Sequence, residues 1–565
     1  MPFEVHWSAK VNGGMPPYVI YSPAGVASLT DAGYLSGIVL FNTNKGLWDI
    51  VITAEDRQGQ NATARTVLDN TILVGSTLSL NGARFVNDST RFAWEQIHNP
   101  DRYDGSEYVT GNDAEIQPGS SNPTVNFQWP RLYRFSLRAT RPDGTEPLYA
   151  VDVLVGLSKS PFKLKGAALT LFNEGQLLQS NLDRIVSWGG NLAALHFNLY
   201  VPDPNANMIV PSWKLNASTT CPPPPTPTDE MLESWIGLAH QRELSVLLVP
   251  HVVYIGCPTE SGYTRSTWIE VWQFKPADRT EWFRNYKTWI LHYAGIVERT
   301  GVEIFSLGAD LGEYEYVPNV WKQMIREVRN VYHGKITVTE ALGWGYDWHR
   351  DPPDFLQDID LMDFDFNYAG SANQLHPSVS DMAERFSEFM QGNHRWMSVP
   401  YMRKYGKPWL VNALGLPNGD GVNRYLQLHG ERPEEGPLRV DNQEQVDYVE
   451  AGFRALSELA RSKDGDLLLG VVIWSLTDWE VPRDFVDWSV AGRPVEGAIQ
   501  LWFCGQGRLE PIYEQTFVAD GDCAISKSWA ISQFDQDRVF LPITLLDEAK
   551  WKLFLNSVPT SQMKE

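Results

Sequence analysis

Apolar and polar residues alternate in short runs over residues 1 to about 157, and Gly, Pro, Asn and Asp interrupt these runs. The stretch GLWDIVITAEDRQGQNATARTVL predicts a strand, an Asp-Arg-Gln-Gly turn and a second strand. YRFSLRATRPDGTEPLYAVDVLVG repeats this scheme around an RPDG turn. The pattern therefore predicts two equivalent all-β modules, residues 1–75 and 76–157, and contains no convincing helix.

From about residue 158 the pattern changes to apolar strands that alternate with helical segments. Such strands are typical of a parallel sheet that is buried on both faces, and eight of them favour a (β/α)8 TIM barrel. We predict this barrel over residues 158–520, and an extension, residues 521–565, that packs on its outside. The eight predicted strands are LKGAALTLF (164–172), NLAALHFNLY (191–200), LSVLLVPHV (244–252), VEIFSLGAD (302–310), KITVTE (335–340), IDLMDFDFNY (359–368), KPWLVNALG (407–415) and LLLGVVIWSL (467–476).

Composition and charge limit the partners of the chain. Its 565 residues have a formal net charge of −22, which argues against nucleic acid and anionic membranes as partners. No apolar run approaches the length of a membrane helix, so we expect no membrane insertion. The 22 Trp residues favour a neutral polysaccharide or oligosaccharide ligand, because flat sugar faces stack on indole rings.

Other features favour an extracellular protein, secreted or at the cell surface. Three Asn-X-Ser/Thr sequons permit glycosylation. The four cysteines form two pairs, Cys221 with Cys257 and Cys504 with Cys523, whose spacing is compatible with two local disulfides. No signal peptide precedes MPFEVHWS, so we expect the chain to be a piece of a larger secreted protein.

Polar residues cluster where the predicted barrel strands end, which is where the active sites of such barrels lie. Carboxylates and tryptophans dominate this set, and they are the side chains that cleavage of a glycosidic bond requires. The chain has no Ser-His-Asp set, no HExxH motif and no Gly-rich phosphate loop after a strand, so no metal or organic cofactor is implied. The set comprises Asn173, Glu174, His196, Asn198, His251, Asp310, Glu313, Glu315, Glu340, Trp344, Asp363, Asp365, Asn367, Tyr368, Asn412, Trp474, Asp478, Trp479 and Glu480.

Several ordered segments resemble the retaining glycoside hydrolases of the (β/α)8 cellulase and β-mannanase clan. They include LAHQRELSVLLVPHV, EWFRNYKTWILHYAGIVERTGVEIFSLGADL, WKQMIREVRNVYHGKITVTEALGW, KPWLVNALG, DNQEQVDYVEAGFRAL and GVVIWSLTDWE, within residues 163 to about 500. The two N-terminal modules resemble the immunoglobulin-like sandwiches attached to secreted polysaccharide-degrading enzymes, and the favoured interpretation is that they are β-sandwich spacers without activity.

The resemblance implies roles for individual residues. The acid/base of strand four corresponds to Asp310, where the family has Glu after Gly-Thr, and Glu313 nearby is a second candidate for the acid. The nucleophile of strand seven corresponds to Ala413, which has no carboxylate. The resemblance and the strand-end positions also suggest substrate contacts. They are His251, Trp344, Tyr368, Asn412, Trp474, Trp479 and Glu480, with the tryptophans stacking on sugar rings and Trp474 forming the floor of the sugar site.

Three explanations fit Ala413: an engineered replacement of the nucleophile, a natural enzyme that uses other carboxylates such as Glu340 or Glu480, and a barrel retained only for glycan binding. Asp310 could alternatively cap the helix that follows it. The segment DLMDFDFNYAG also resembles chitinase-type barrels, in which the acetamido group of the substrate replaces the nucleophile. The main expectation is a secreted hydrolase that cleaves β-1,4-linked cellulose, β-glucan or mannan.

Overall fold

The structure is a computed structural model of the whole chain. It describes residues 123–146, 148–157 and 159–504, and elsewhere the strands given below. Within 159–504, the gaps in the description are 173, 216–222, 257–266, 271–273, 311–316, 341–353, 368–369, 371–376, 392–397, 424–430, 433–435, 438 and 483–484.

Eight parallel strands form a closed barrel. In the order β2-β1-β8-β7-β6-β5-β4-β3, each strand pairs with the next, and pairing of β2 with β3 closes the ring. The predicted TIM barrel is therefore confirmed, and the sequence KPWLVNALG provides its seventh strand. The strands are β1 (Leu164–Thr170), β2 (Leu192–Tyr200), β3 (Ser245–Gly256), β4 (Ile304–Ala309), β5 (Lys335–Glu340), β6 (Met362–Asp365), β7 (Trp409–Leu414) and β8 (Leu468–Thr477).

Apolar side chains from many of the strands fill the lumen of the barrel. A strand that is buried on both faces needs apolar residues at consecutive positions, and β2, β4 and β7 are buried along their whole length. A further short strand, Thr267–Glu270, pairs antiparallel with the end of β3. The buried lumen cluster comprises Ala168, Leu192, Ala194, Leu247, Val249, Ile304, Ala309, Leu361, Leu410 and Val472.

The helices begin and end at residues suited to those positions. Thr228 accepts a hydrogen bond from the backbone N–H of Met231 and so caps α2, as the sequence predicts. Asp278 caps α3, which ends at Gly301 in the left-handed conformation (φ 75°). The helices are α1 (Gln179–Ser187), α2 (Asp229–His240), α3 (Arg279–Thr300), α4 (Pro318–Arg329), α5 (Val379–Gln391), α6 (Ser398–Tyr405), α7 (Asn442–Arg461) and α8 (Val495–Cys504), with short 3-10 helices at Ser212–Lys214, Asp354–Gln357 and Gly465–Leu467.

The first 157 residues contain only strands among the elements that the structure describes. The two predicted hairpins both form, as antiparallel pairs of Leu47–Glu55 with Asn61–Asp69 and of Arg131–Thr140 with Leu148–Gly156. The immunoglobulin-like character of the two modules stays a prediction. The remaining strands are Phe3–Lys10, Val19–Ser22, Gly25–Ala27, Tyr34–Phe41, Ile72–Leu73, Thr77–Ser79, Arg91–Ile97 and Thr124–Asn126, with Glu431–Arg432, Gly436–Pro437 and Leu553–Phe554 later in the chain.

By its internal contacts the chain divides into two compact units. One is Ser160–Phe503, which contains the barrel, and the other combines Met1–Lys159 with Cys504–Glu565. The predicted barrel start at 158 lies close to the start of its unit, whereas the predicted end at 520 and the extension 521–565 fall almost wholly outside the described residues. Among the described helices, none has the length and apolar character needed to cross a membrane.

Candidate active site

Asp310 lies at the carboxyl end of β4, at the mouth of the barrel. Its backbone adopts the left-handed conformation (φ 56°), which turns the chain sharply as it leaves the strand. Its Oδ2 atom lies 3.6 Å from Nδ1 of His251, and 21% of its side chain is exposed. Helix α4 begins at Pro318 with Val317 at its N-cap, so Asp310 does not cap α4. The carboxylate is instead accessible beside a histidine.

His251 connects Asp310 to a second, fully buried histidine. Its Nε2 atom lies 2.9 Å from Nδ1 of His196, which is 1% exposed on β2. Burial, followed by the neighbouring His251, holds the pKa of His196 well below its usual value. His196 is therefore neutral, and it can share a hydrogen bond with His251 without bringing a positive charge of its own into the site.

Trp474 provides an aromatic wall next to these histidines. Like Leu469, it is a partly buried residue of β8 that packs against the lumen cluster. Its ring meets His196 edge to face, with centroids 5.1 Å apart, and lies 6.2 Å from the ring of Phe172. An indole that is anchored on one side and partly open on the other can serve as a platform for a sugar ring.

The end of β7 places Asn412 and Ala413 at the opposite side of the mouth. Ala413 is 4% exposed and pairs in register with Asp365 of β6. The register of β7 is irregular here against both neighbouring strands. Asn412 is fully buried, and its Nδ2 atom donates to Oγ1 of Thr339 at 3.3 Å. Only a methyl group therefore occupies the position at which the family resemblance expects the nucleophile.

Buried polar side chains from four neighbouring strands form what we call the lumen polar cluster: Ser306, Thr339, Asp363 and Asn412. Oγ1 of Thr339 lies 3.0 Å from Oγ of Ser306 and 2.9 Å from Oδ2 of Asp363. Burial raises the pKa of Asp363 well above its usual value, and the Thr339 hydroxyl opposes this only in part. Sequence analysis placed Asp363 and Asn412 at strand ends but missed the two hydroxyl residues, whose signal is a polar residue at an inward position of an apolar strand.

The other predicted residues divide into two groups. Trp479 is half-buried and meets Phe485 edge to face at 6.2 Å, while Glu480 beside it is exposed. Asp478, just before them, is buried and accepts hydrogen bonds from the backbone N–H groups of Glu174 and Gly175. The side chains of Glu313, Trp344, Tyr368, Asn173, Glu315 and Glu340 lie outside the described part of the chain, and their roles stay predictions.

Among the described residues, one cluster of three carboxylate side chains has the spacing needed to hold a metal ion. Oxygen atoms of Asp420, Asp441 and Glu444 lie within 4.8 Å of one another. Asp441 caps α7, and Glu444 accepts hydrogen bonds from the backbone of Gly421 and from Asn423. These bonds explain the arrangement as a brace between the loop after β7 and the first turn of α7.

The site therefore combines an acid, a histidine pair and a tryptophan at the carboxyl ends of the strands of a closed (β/α)8 barrel, which are kinds of side chain that cleavage of a glycosidic bond uses. Residues 214–479, a little under half of the chain, match the model of Glycoside Hydrolase Family 113. The match begins after β2 and extends past the end of β8. It confirms the predicted resemblance to the barrel enzymes of the cellulase and β-mannanase type.

Solved structures also resemble this chain, at low identity. A Family 113 β-mannanase from Alicyclobacillus acidocaldarius is 20% identical over 60% of this chain and 97% of that chain, with a TM-score of 0.43. A Family 113 β-1,4-mannanase is 18% identical over 60% of this chain and 99% of that chain, with a TM-score of 0.45. A hyperthermostable endo-1,4-β-mannanase from Thermotoga petrophila is 13% identical over 60% of this chain and 99% of that chain, with a TM-score of 0.38. Among curated protein sequences, none matches the chain.

Proposed function

We propose that this chain is a glycoside hydrolase that acts on β-1,4-linked mannan by a single displacement, with Asp310 as the general acid. The observation that supports it most is the half-enclosed carboxyl of Asp310 at the end of β4, within a barrel that matches Family 113. The Family 113 proteins reported above are β-mannanases, and this favours mannan over cellulose or β-glucan.

The acid side of the site has the parts that this reaction needs. Asp310 would donate a proton to the glycosidic oxygen as the bond to the anomeric carbon breaks. His251, 3.6 Å from the carboxylate, would orient it, and neutral His196 would hold His251 from behind. Trp474 would stack on the sugar ring at the cleavage point.

Ala413 excludes a covalent glycosyl intermediate on β7, because a methyl group cannot attack the anomeric carbon. Water would attack instead, and a second carboxylate would take its proton. Asp365 is the register partner of Ala413 on the adjacent strand and is half-buried, so we assign the general base to it. A reaction of this kind inverts the configuration at the anomeric carbon, whereas a carboxylate at position 413 would give retention.

A second function, glycan binding without turnover, is favoured by one observation. Position 413 has a methyl group, so the carboxylate that is the most effective catalytic group of such barrels is missing there. The surface around Trp474 and the accessible carboxylate of Asp310 would remain. A chain of this kind would hold mannan but release no product.

The two functions are separated by incubating the chain with mannohexaose. Hydrolysis predicts shorter oligosaccharides whose new reducing ends are first formed as the α-anomer, detected by proton NMR. Asp310→Asn and Asp365→Asn should each abolish product while calorimetry still detects binding. Asp358→Asn, the same change at an exposed aspartate before β6, is the matched control and should leave product formation unchanged. Cellohexaose tests the choice of mannan.

Three other results would each contradict a part of the proposed function. Binding of mannohexaose without product from the unchanged chain would establish the glycan-binding function instead. Product from Asp310→Asn at an unchanged rate would remove Asp310 from its role. If mannohexaose neither binds nor reacts while cellohexaose does, the assignment of mannan is wrong although the class of protein is right.

A further inference from the structure

The lumen polar cluster contains more oxygen–oxygen contacts than its hydroxyl groups can supply with hydrogen atoms. Oγ of Ser306 lies 2.7 Å from the carbonyl oxygen of Gly308 and 3.0 Å from Oγ1 of Thr339. Oγ1 of Thr339 lies 2.9 Å from Oδ2 of Asp363. Three contacts of hydrogen-bond length therefore join the serine, the threonine, a carbonyl and a carboxyl group.

Each hydroxyl group has a single hydrogen atom to donate. The carbonyl of Gly308 can only accept, so the hydrogen of Ser306 lies in that contact. The contact between the two hydroxyls then requires the hydrogen of Thr339. The contact with Asp363 is left without a hydrogen unless the carboxyl group itself supplies one.

We propose that Asp363 keeps its proton and is the positioning residue that ties together the ends of β4 and β7. Its carboxyl group donates to Thr339, Thr339 donates to Ser306, and Ser306 donates to the carbonyl of Gly308. Thr339 also accepts from Nδ2 of Asn412, and Ser306 accepts from the backbone N–H of Thr339. Thr339 then donates one hydrogen bond and accepts two, which is its full capacity. Ser306 donates one and accepts from the hydroxyl and the backbone N–H of Thr339, with the backbone N–H of Gly308 farther away at 3.4 Å.

The surroundings of Asp363 favour the neutral form. The residue is 1% exposed, and no hydrogen-bond partner among the described residues reaches its Oδ1 atom. An unpaired carbonyl oxygen is far less costly to bury than an unpaired charged oxygen. Burial raises the pKa of Asp363 strongly, and among the described residues only the Thr339 hydroxyl of β5 lowers it.

The position of the network gives the proton a role in the site. Gly308 stands two residues before Asp310, and Asn412 stands directly before Ala413. A single proton on Asp363 therefore orders the hydrogen bonds beneath both the acid and the empty nucleophile position. The role in glycan binding rests on the proposed function, whereas the protonation itself does not.

The test compares Asp363→Asn with Asp363→Ala in the full chain. An amide can donate to Thr339 as the protonated acid does, so Asp363→Asn should keep the affinity for mannohexaose within about threefold, and Asp363→Ala should weaken it by about tenfold. Infrared difference spectra of the unchanged chain against Asp363→Asn at pH 7 should contain the carbonyl stretch of a protonated carboxyl group. Asp358→Asn, at an exposed aspartate, should give no such band.

Stability provides a readout that needs no glycan. The folded chain holds a proton on Asp363 above the pH at which the unfolded chain releases it, so the stability contributed there falls as pH rises above about 4. The melting temperature of Asp363→Asn, relative to the unchanged chain, should therefore rise between pH 4 and pH 8. Absence of the carbonyl band together with a flat difference would overturn the proposal. If both are present but mannohexaose does not bind, the protonation stands and the proposed function fails.

Discussion

The two sides of the barrel mouth use different means to hold their residues. On the acid side, side chains hold one another: Asp310 lies beside His251, and His251 bonds to His196. On the β7 side, the strand is held by the close approach of its backbone to β8 and by hydrogen bonds to buried hydroxyl groups. Gly415 passes so close to β8 that a Cβ atom there would lie 2.1 Å from the carbonyl oxygen of Trp474.

Under the proposed function, this difference means that the position of the nucleophile has no carboxylate while the support beneath it is present. Ala413 has only a methyl group, yet it pairs with Asp365, and its buried neighbour Asn412 donates to Thr339. The support of β7 does not depend on the side chain at 413. On the acid side the support does depend on the side chains, because Asp310 contacts His251 and His251 contacts His196.

The strongest test of this difference restores a carboxylate on β7. Ala413→Glu should accelerate release of the aryl group from an activated aryl β-mannoside by on the order of 10²-fold, because a positioned carboxylate opens the covalent route. The product should then retain its configuration. Rates come from absorbance of the released aryl group, and intact mass with a slowly hydrolysed 2-fluoro mannoside detects the glycosyl intermediate.

Ala413→Gln is the matched control, since it has the size of glutamate without the charge. If the glutamine variant is as fast as the glutamate variant, the gain comes from filling space. If Ala413→Glu folds and binds mannohexaose but is no faster than the unchanged chain, the end of β7 is not the nucleophile position.

The barrel was predictable from the sequence because its signal is long and repeated. Runs such as LSVLLVPHV and LLLGVVIWSL are apolar at almost every position, as strands buried on both faces must be, and helices with clear caps separate them. Strand ends were less accurate: IDLMDFDFNY predicts ten residues, whereas β6 comprises Met362–Asp365.

The site was predictable only where a residue stands at a strand end. Their position at a strand end identified Asp310, His251 and Asn412. This position could not reveal which side chains are in contact. The contact between His251 and His196 depends on the register of β2 against β3, which local pattern does not determine. Ser306 and Thr339 were missed because a hydroxyl residue in a strand is ordinary until its neighbours across the lumen are known.

A smaller effect is expected from filling the space at Gly415. Gly415→Ala would force the backbone of β7 away from Trp474, because an atom cannot remain 2.1 Å from a carbonyl oxygen. Overpacking of this kind should destabilise the barrel by about 1–3 kcal/mol, measured by urea unfolding, and weaken mannohexaose binding through displacement of Trp474. Gly237→Ala in α2, where nothing lies within 4 Å of the new atom, is the control and should stabilise the chain by up to about 1 kcal/mol. Equal stability of Gly415→Ala and the unchanged chain would contradict the backbone support of β7.

The smallest expected effect concerns the acid side and its dependence on pH. Because burial and His251 hold the pKa of His196 below its usual value, the unfolded chain takes up a proton near pH 6.5 that the folded chain does not, and the free energy of unfolding falls as pH drops below that value. His196→Gln removes this difference, so its free energy of unfolding should fall less steeply with acid, by at most about 1.4 kcal/mol per pH unit. Urea unfolding between pH 5 and pH 7.5 measures the slope, with His240→Gln on α2 as the control for loss of an imidazole at a more exposed position. A slope as steep in His196→Gln as in the unchanged chain would mean that His196 takes up its proton in the folded state. The interpretation of His196 as a neutral partner of His251 would then be wrong.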